Sequence, residues 1–206
     1  MKGGHFNLIP QTHVIIAKEI HENVNNNLNI KLDKAQLIYG SVKPDIYSGL
    51  PKLKHFKPQS FDVICNEIQK ISNHPLMDNR AHIAYVSQKI GIITHYVADY
   101  FCVPHNDRKT YQNHFWDHLK YERLLHKSFK EHASITDNSK VNFLQNVDFT
   151  NLEQIKRYLD ELHFHYESKA ESMQNDINNS LFAVKSVASI MVQHALSQEE
   201  VCPVAA

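Results

Sequence analysis

The sequence predicts an all-α, multi-helix bundle-like domain, and three observations carry that expectation. Apolar residues recur at three- and four-residue intervals along most of the chain, the period of an amphipathic helix. Glycine is scarce, five in 206 residues, which argues against a turn-rich all-β design. Strand-like alternation is almost absent. Helices packed around one core are the architecture such a pattern builds, and no composition shift marks a boundary, so residues 1–206 read as a single domain.

The elements follow in order. Thr12 is the expected N-cap of a helix from His13 to about Val24, which ends in the polar run NVNNN. A short helix is expected over Lys34 to Tyr39. Residues 40–58 hold Pro44, Pro51, Pro58, Gly40 and Gly49 and read as a loop. Ser60 is the expected cap of a helix through Ile71, with Phe61, Ile64, Cys65 and Ile68 in register. A long helix is predicted from near Asn79 to Cys102, stopping ahead of Pro104 because proline disfavours helical geometry in the residue before it. Another helix covers about Tyr111 to Lys130, and residues 137–143 read as a linker. Residues 151–177 then form one amphipathic helix, with Leu152, Ile155, Leu159, Leu162 and Tyr166 on one face, and a last helix spans about Asn179 to Leu196.

Composition narrows the function classes. Twenty-two basic and 22 acidic residues balance to zero net charge, and no basic run stands out, so steering toward nucleic acid or an anionic membrane is not indicated. Cys65, Cys102 and Cys202 are an odd number without paired spacing, which fits a reducing compartment. The N-terminal residues hold no apolar stretch long enough for a signal sequence, and no run reaches membrane-spanning length. A cytoplasmic location is the expectation. Fifteen histidines against one tryptophan is the strongest bias, and it raises the prospect of a metal without locating one.

Location comes from GIITHYVADYFCVPHN at 91–106. His95 and Asp99, four apart, project from one helix face in an apolar setting. A buried carboxylate beside a buried imidazole needs a shared proton, a basic partner or a metal. The next helix carries a second pair, His118 and Glu122, again four apart. Helices joined by a short connection pack antiparallel, which can bring both pairs together with His105 at the turn. Imidazole nitrogen and carboxylate oxygen are the ligand set zinc prefers. His13, Asp45 and His55 also lie where the apolar pattern would not ask for them, and the eight residues outnumber the ligands of one tetrahedral ion. Any one of these histidines alone reads as structural or superficial; it is the combination that points to metal. His114 is a possible substitute ligand, and Asp117 and Trp116 are candidates for the same pocket, with Trp116 better read as core. His21, His74, His82, His126, His132, His163 and His165 have no matching partner and read as exposed, and the Tyr and Phe residues as packing.

The order TH at 12–13, PD at 44–45, HF at 55–56, HYVADYFCVPH at 95–105 and HLKYE at 118–122 resembles the zinc-dependent phospholipase C family. That family includes the clostridial alpha-toxin catalytic domain and is related in fold to the S1/P1 nucleases. The resemblance covers the first 120 or so residues. It implies one Zn2+ held by Asp45, His55, His95 and Asp99, a second by His105, His118 and Glu122, and a third sharing Asp99 as a bridge together with His13. In the family an N-terminal tryptophan completes the third ion; here the Met1 amine or His5 is the candidate. It further implies a water activated between clustered zinc ions that attacks phosphorus in line, with Asp45 as candidate general base. A phosphodiester such as a phospholipid head group is the implied substrate.

Two other functions compete. A single-strand nuclease would prefer a basic groove with stacking aromatics, against the zero net charge. A non-catalytic zinc-binding protein would keep the ligands and hydrolyse nothing. Adjacent His-Asp, Glu-x-x-His and H-E-x-x-H motifs of other metal-helix classes are missing from the chain. Oligomeric state is not legible.

Overall fold

The computed structural model describes residues 10–46, 53–77, 79–106, 115–133 and 147–201. Their regular elements are all helices: α1 (Pro10–Leu28), α2 (Lys34–Ile46), α3 (Lys57–Ser72), α4 (Arg80–Asp99), α5 (Val103–Asn106), α6 (Phe115–Ala133), α7 (Leu152–Glu167) and α8 (Met173–Val201). The all-α expectation holds.

α4 is the axis of the bundle. From Ile93 to Asp99 every side chain is buried, and α2, α3 and α8 pack around it, while α1 lies against α2, α6 and α8. One core joins Ile16 and Ile20 of α1, Leu37 of α2, Ile64 and Ile68 of α3, Ile90 and Val97 of α4, and Val184, Val187 and Met191 of α8. A helix that is apolar nearly all round belongs at such a centre, so the polar residues of α4 are drawn into the interior with it.

The largest departure from expectation is α2. Residues 40–46 are helical, not loop. Gly40 and Gly91 are not turn residues: they let α2 and α4 approach until a Cβ on Gly40 would stand 2.1 Å from the Gln88 carbonyl oxygen, and one on Gly91 2.3 Å from that of Leu37. Glycine at a helix crossing serves close backbone approach. Pro44 sits in the last turn of α2, and Pro58 in the first turn of α3, where a missing N–H is tolerated. Residues 47–52, with Gly49 and Pro51, lie outside the described residues.

Other boundaries shift for identifiable reasons. α1 starts at Pro10, so Thr12 is inside the helix; its Oγ1 lies 3.0 Å from Nδ1 of His126 and ties α1 to α6. Ser60 is likewise internal to α3, donating to the Phe56 carbonyl at 3.0 Å and accepting from the Tyr100 hydroxyl at 2.8 Å. Asn79 does cap α4, accepting from the N–H groups of Ala81 and His82. α4 ends at Asp99, earlier than expected, as the Phe101 N–H turns back to the Ala98 carbonyl. Pro104 falls inside the single turn of α5. The expected helix over 151–177 is two: α7 ends at Glu167, and Ser172 opens α8 by accepting from the Asn175 N–H at 3.1 Å. The apolar register runs out between Tyr166 and Met173, so nothing holds a continuous helix there. The linker at 137–143 lies outside the described residues, as do residues 111–114.

Several side-chain expectations are corrected. Trp116 is 76 % exposed, not core, and Phe164 is also exposed. His163 is buried, with its Nδ1 3.4 Å from Glu167 Oε2. His21, His74, His82, His126 and His132 are half-buried, and only His165 of that group is fully exposed.

Candidate metal centre

Helical spacing does bring His95 and Asp99 onto one face, and the surrounding elements complete a cluster. α1 contributes His13, the last turn of α2 contributes Asp45, and the segment entering α3 contributes His55. His55 Nδ1 stands 2.6 Å from Asp99 Oδ2 and 2.9 Å from His95 Nε2. His95 Nε2 is 3.6 Å from Asp45 Oδ1 and 3.5 Å from Asp99 Oδ2. His13 Nε2 is 3.4 Å from Asp99 Oδ1 and 4.0 Å from Asp45 Oδ2, and the His13 and His95 rings lie with centroids 3.9 Å apart, tilted by 30°. Two overlapping triads result, His13–Asp45–His95 and His55–His95–Asp99, each with its candidate ligand atoms within 4.8 Å of one another.

Hydrogen bonding fixes the protonation of the centre. His95 Nδ1 lies 2.8 Å from the Ser41 carbonyl, which can only accept. The ring therefore carries its proton on Nδ1 and turns the Nε2 lone pair into the cluster. Burial, reinforced by His13, keeps the His95 imidazole well below its ordinary pKa, so it stays neutral. Burial works against the charge of Asp99, but His95, His105, His13 and His55 outweigh it and hold the carboxyl well below the usual range. His55 Nδ1–H then faces both an anionic oxygen and a bare nitrogen, and this is the proton a metal ion would replace.

The donor set fits a metal. Both ring nitrogens of His13, and Asp99 Oδ1, are buried and make no hydrogen bond among the described residues. Among the same residues no lysine or arginine pairs with Asp99. A buried carboxylate with imidazoles alone around it is the arrangement a divalent cation completes.

A second polar pair lies at the C-terminal end of α4. His105 on α5 and Glu122 on α6 are both buried, with Nε2 and Oε1 3.7 Å apart. Burial opposes protonation of His105, yet Asp99 and Glu122 raise its pKa above the ordinary value. His118 lies on α6 one turn before Glu122, which matches its expected place in sequence, but its side chain lies outside the described residues. Met1, His5 and His114 lie outside them too. Asp117 is exposed.

Sequence reasoning missed the Ser41 carbonyl, since a backbone acceptor leaves no signal in residue identity. It also missed Asp176, a buried carboxylate at the start of α8 that accepts from Val103, Tyr121 and Tyr166. The apolar register of α8 assigns Asp176 no partner, because its partners are 10 to 73 residues away.

No match is found among curated proteins. The zinc dependent phospholipase C family, however, matches residues 12–173, a span that opens at the Thr12–His13 pair and contains all eight candidate ligands. With more than half of the sequence matched, the chain belongs to the zinc dependent phospholipase C family.

Proposed function

We propose that this protein is a zinc-dependent phosphodiester hydrolase whose substrate is a phospholipid head group or a related phosphoester. The observation that carries the reading is the shared-ligand cluster around Asp99: a buried carboxylate and three buried imidazoles with the half-buried Asp45 beside them, and no lysine or arginine paired with Asp99 among the described residues. Asp45, His55, His95 and Asp99 would hold one ion, and His13 with Asp99 another. His105 and Glu122, with His118, would hold a further one. Zinc, when bound, supplies a Lewis acid that lowers the pKa of water and neutralises phosphate oxygens.

The chain's own residues set the rest. His95, kept neutral by burial and oriented by the Ser41 carbonyl, presents its Nε2 in one orientation without reorganisation. Asp99 has one oxygen toward His55 and His95 and the other toward His13, so it can serve two ions at once. Asp45 is the more accessible carboxylate, 7 % exposed against 0 % for Asp99. That makes Asp45 the residue able to receive a proton from an incoming nucleophile. We take the chain to act as one domain, since α8, largely beyond the family match, packs on α1, α3 and α4. The free, buried thiol of Cys65 supports a reducing compartment, and no described helix is long and apolar enough to cross a membrane.

The test is metal content by elemental mass spectrometry on untagged, chelator-free protein, followed by hydrolysis assays. Two or three zinc ions per chain and release of phosphocholine from phosphatidylcholine are expected. Activity on single-stranded DNA alone would move the assignment to a nuclease, and zinc without hydrolysis of either substrate to a binding protein. No bound zinc after supplementation would reject the reading.

A further inference from the structure

Resting on the zinc reading above, we infer that Asp176 is a positioning residue: its carboxylate locks the α4–α5 turn against α6 so that His105 and Glu122 face one another as a metal pocket. Oδ2 accepts from the Val103 N–H at 3.1 Å and from the Tyr121 hydroxyl at 2.9 Å. Oδ1 accepts from the Tyr166 hydroxyl at 2.8 Å, and the Cys102 thiol is also hydrogen-bonded to the group. One carboxylate thus gathers donors from the α4–α5 turn, α6 and α7.

Two of those donors neighbour the pocket in sequence. Val103 opens the single turn that carries His105, and Tyr121 immediately precedes Glu122. α5 is one turn long and contains Pro104, so it has little hydrogen bonding of its own to fix its direction. The His105 N–H reaches back to the Cys102 carbonyl at 2.9 Å. Asp176 supplies the anchor from outside, and the same oxygen holds α6.

Asp176 is 1 % exposed, so it contacts no substrate. Nor does stability alone account for a carboxylate there. Burial pushes its carboxyl up to about 6 despite the four donors, which means that its ionised form is disfavoured where it sits. An apolar residue would fill the space but leave the Val103 N–H and the Tyr121 and Tyr166 hydroxyls without their acceptor, whereas a multi-dentate acceptor satisfies them and orients α5 relative to α6.

The test is zinc titration of metal-stripped full-length protein by competition with a fluorescent chelator, wild type against Asp176→Asn. Histidine imidazole NMR signals are followed in parallel. In the variant one class of zinc site weakens by about tenfold or more, the loss typical of a disturbed outer partner. His105 signals then cease to respond to zinc at concentrations that still shift those of His55 and His95. A variant with unchanged zinc affinities and unchanged His105 response, differing only in melting temperature, overturns the inference and leaves Asp176 a fold clamp. Absence of zinc binding by the wild type removes the zinc reading itself and this inference with it, an outcome distinct from the former. If Asp176→Asn does not fold, Tyr121→Phe decides: selective weakening of the same class supports the inference, and wild-type titration rejects it.

Discussion

Asp99 and Asp176 are both buried aspartates, yet their surroundings drive them in opposite directions. Around Asp99 four imidazoles overcome burial and depress the carboxyl pKa. Stability from that group is therefore present above the ordinary aspartate range and is lost only as pH falls through the depressed value. Around Asp176 burial wins, with a pKa of about 6 against an ordinary 3.8. The folded state then holds its proton more tightly than the unfolded chain. Stability from Asp176 is fully present below pH ~4 and is lost as pH rises through ~6, a swing on the order of 3 kcal/mol. Urea unfolding of metal-free protein at pH 4 and pH 7 checks this: the difference between the two pH values should shift by about that amount in Asp176→Asn, and an identical difference in both proteins would refute it. Asp99→Asn acts on metal instead. Because it removes the carboxylate charge that faces His13, His55 and His95, zinc affinity at the centre should fall by more than the roughly 10–100-fold expected for an outer partner. Competition titration measures it, and a loss below tenfold would exclude Asp99 as a ligand. Neither aspartate differs from the other in residue type. The His-x-x-x-Asp spacing exposed Asp99, but nothing local to Asp176 signals its distant partners.

At the scale of elements, α2 and α4 decide whether the site assembles at all. Asp45 sits at the end of one and His95 in the other, and Ser41 of α2 orients His95. Their spacing depends on Gly40 and Gly91, where the obstructing atoms are backbone and cannot swing away. Gly91→Ala is therefore expected to destabilise the fold by about 1–3 kcal/mol, the range for overpacking, despite alanine's better helix propensity. Thermal melts followed by circular dichroism would show it, and a stabilised variant would mean that the helices can part without penalty. The same crossing explains what sequence reading captured and what it did not. Helices with a strong apolar stripe, such as α3 and α7, were legible in existence and register. Gly40 and Pro44 read as loop because local rules assign glycine and proline to turns, whereas close packing of two helices is a property of residues about fifty apart. The α7–α8 break was hidden because polar residues between Tyr166 and Met173 are compatible with a solvated helix as well as with a turn. Trp116 was misplaced for the converse reason: aromatic identity argues for burial, and only tertiary position overrides it.

Across the whole molecule, the candidate ligands come from α1, α2, the segment before α3, α4, α5 and α6. No two of those elements could hold them in the unfolded chain, so metal binding is confined to the folded state and must be linked to stability. At free zinc 100 times the dissociation constant each site adds about 2.7 kcal/mol. For a chain of this size that corresponds to roughly 5–11 °C in melting temperature per site. Scanning calorimetry over a zinc series is the measurement. The melting temperature should climb with the logarithm of free zinc and return to the metal-free value with a chelator. Asp99→Asn should lose the part of the climb due to the central cluster and keep any part due to His105 and Glu122, so the two pockets separate in one experiment. A melting temperature indifferent to zinc in the wild type would show that the imidazoles and carboxylates satisfy one another without an ion, and that the cluster is a buried polar network within the fold.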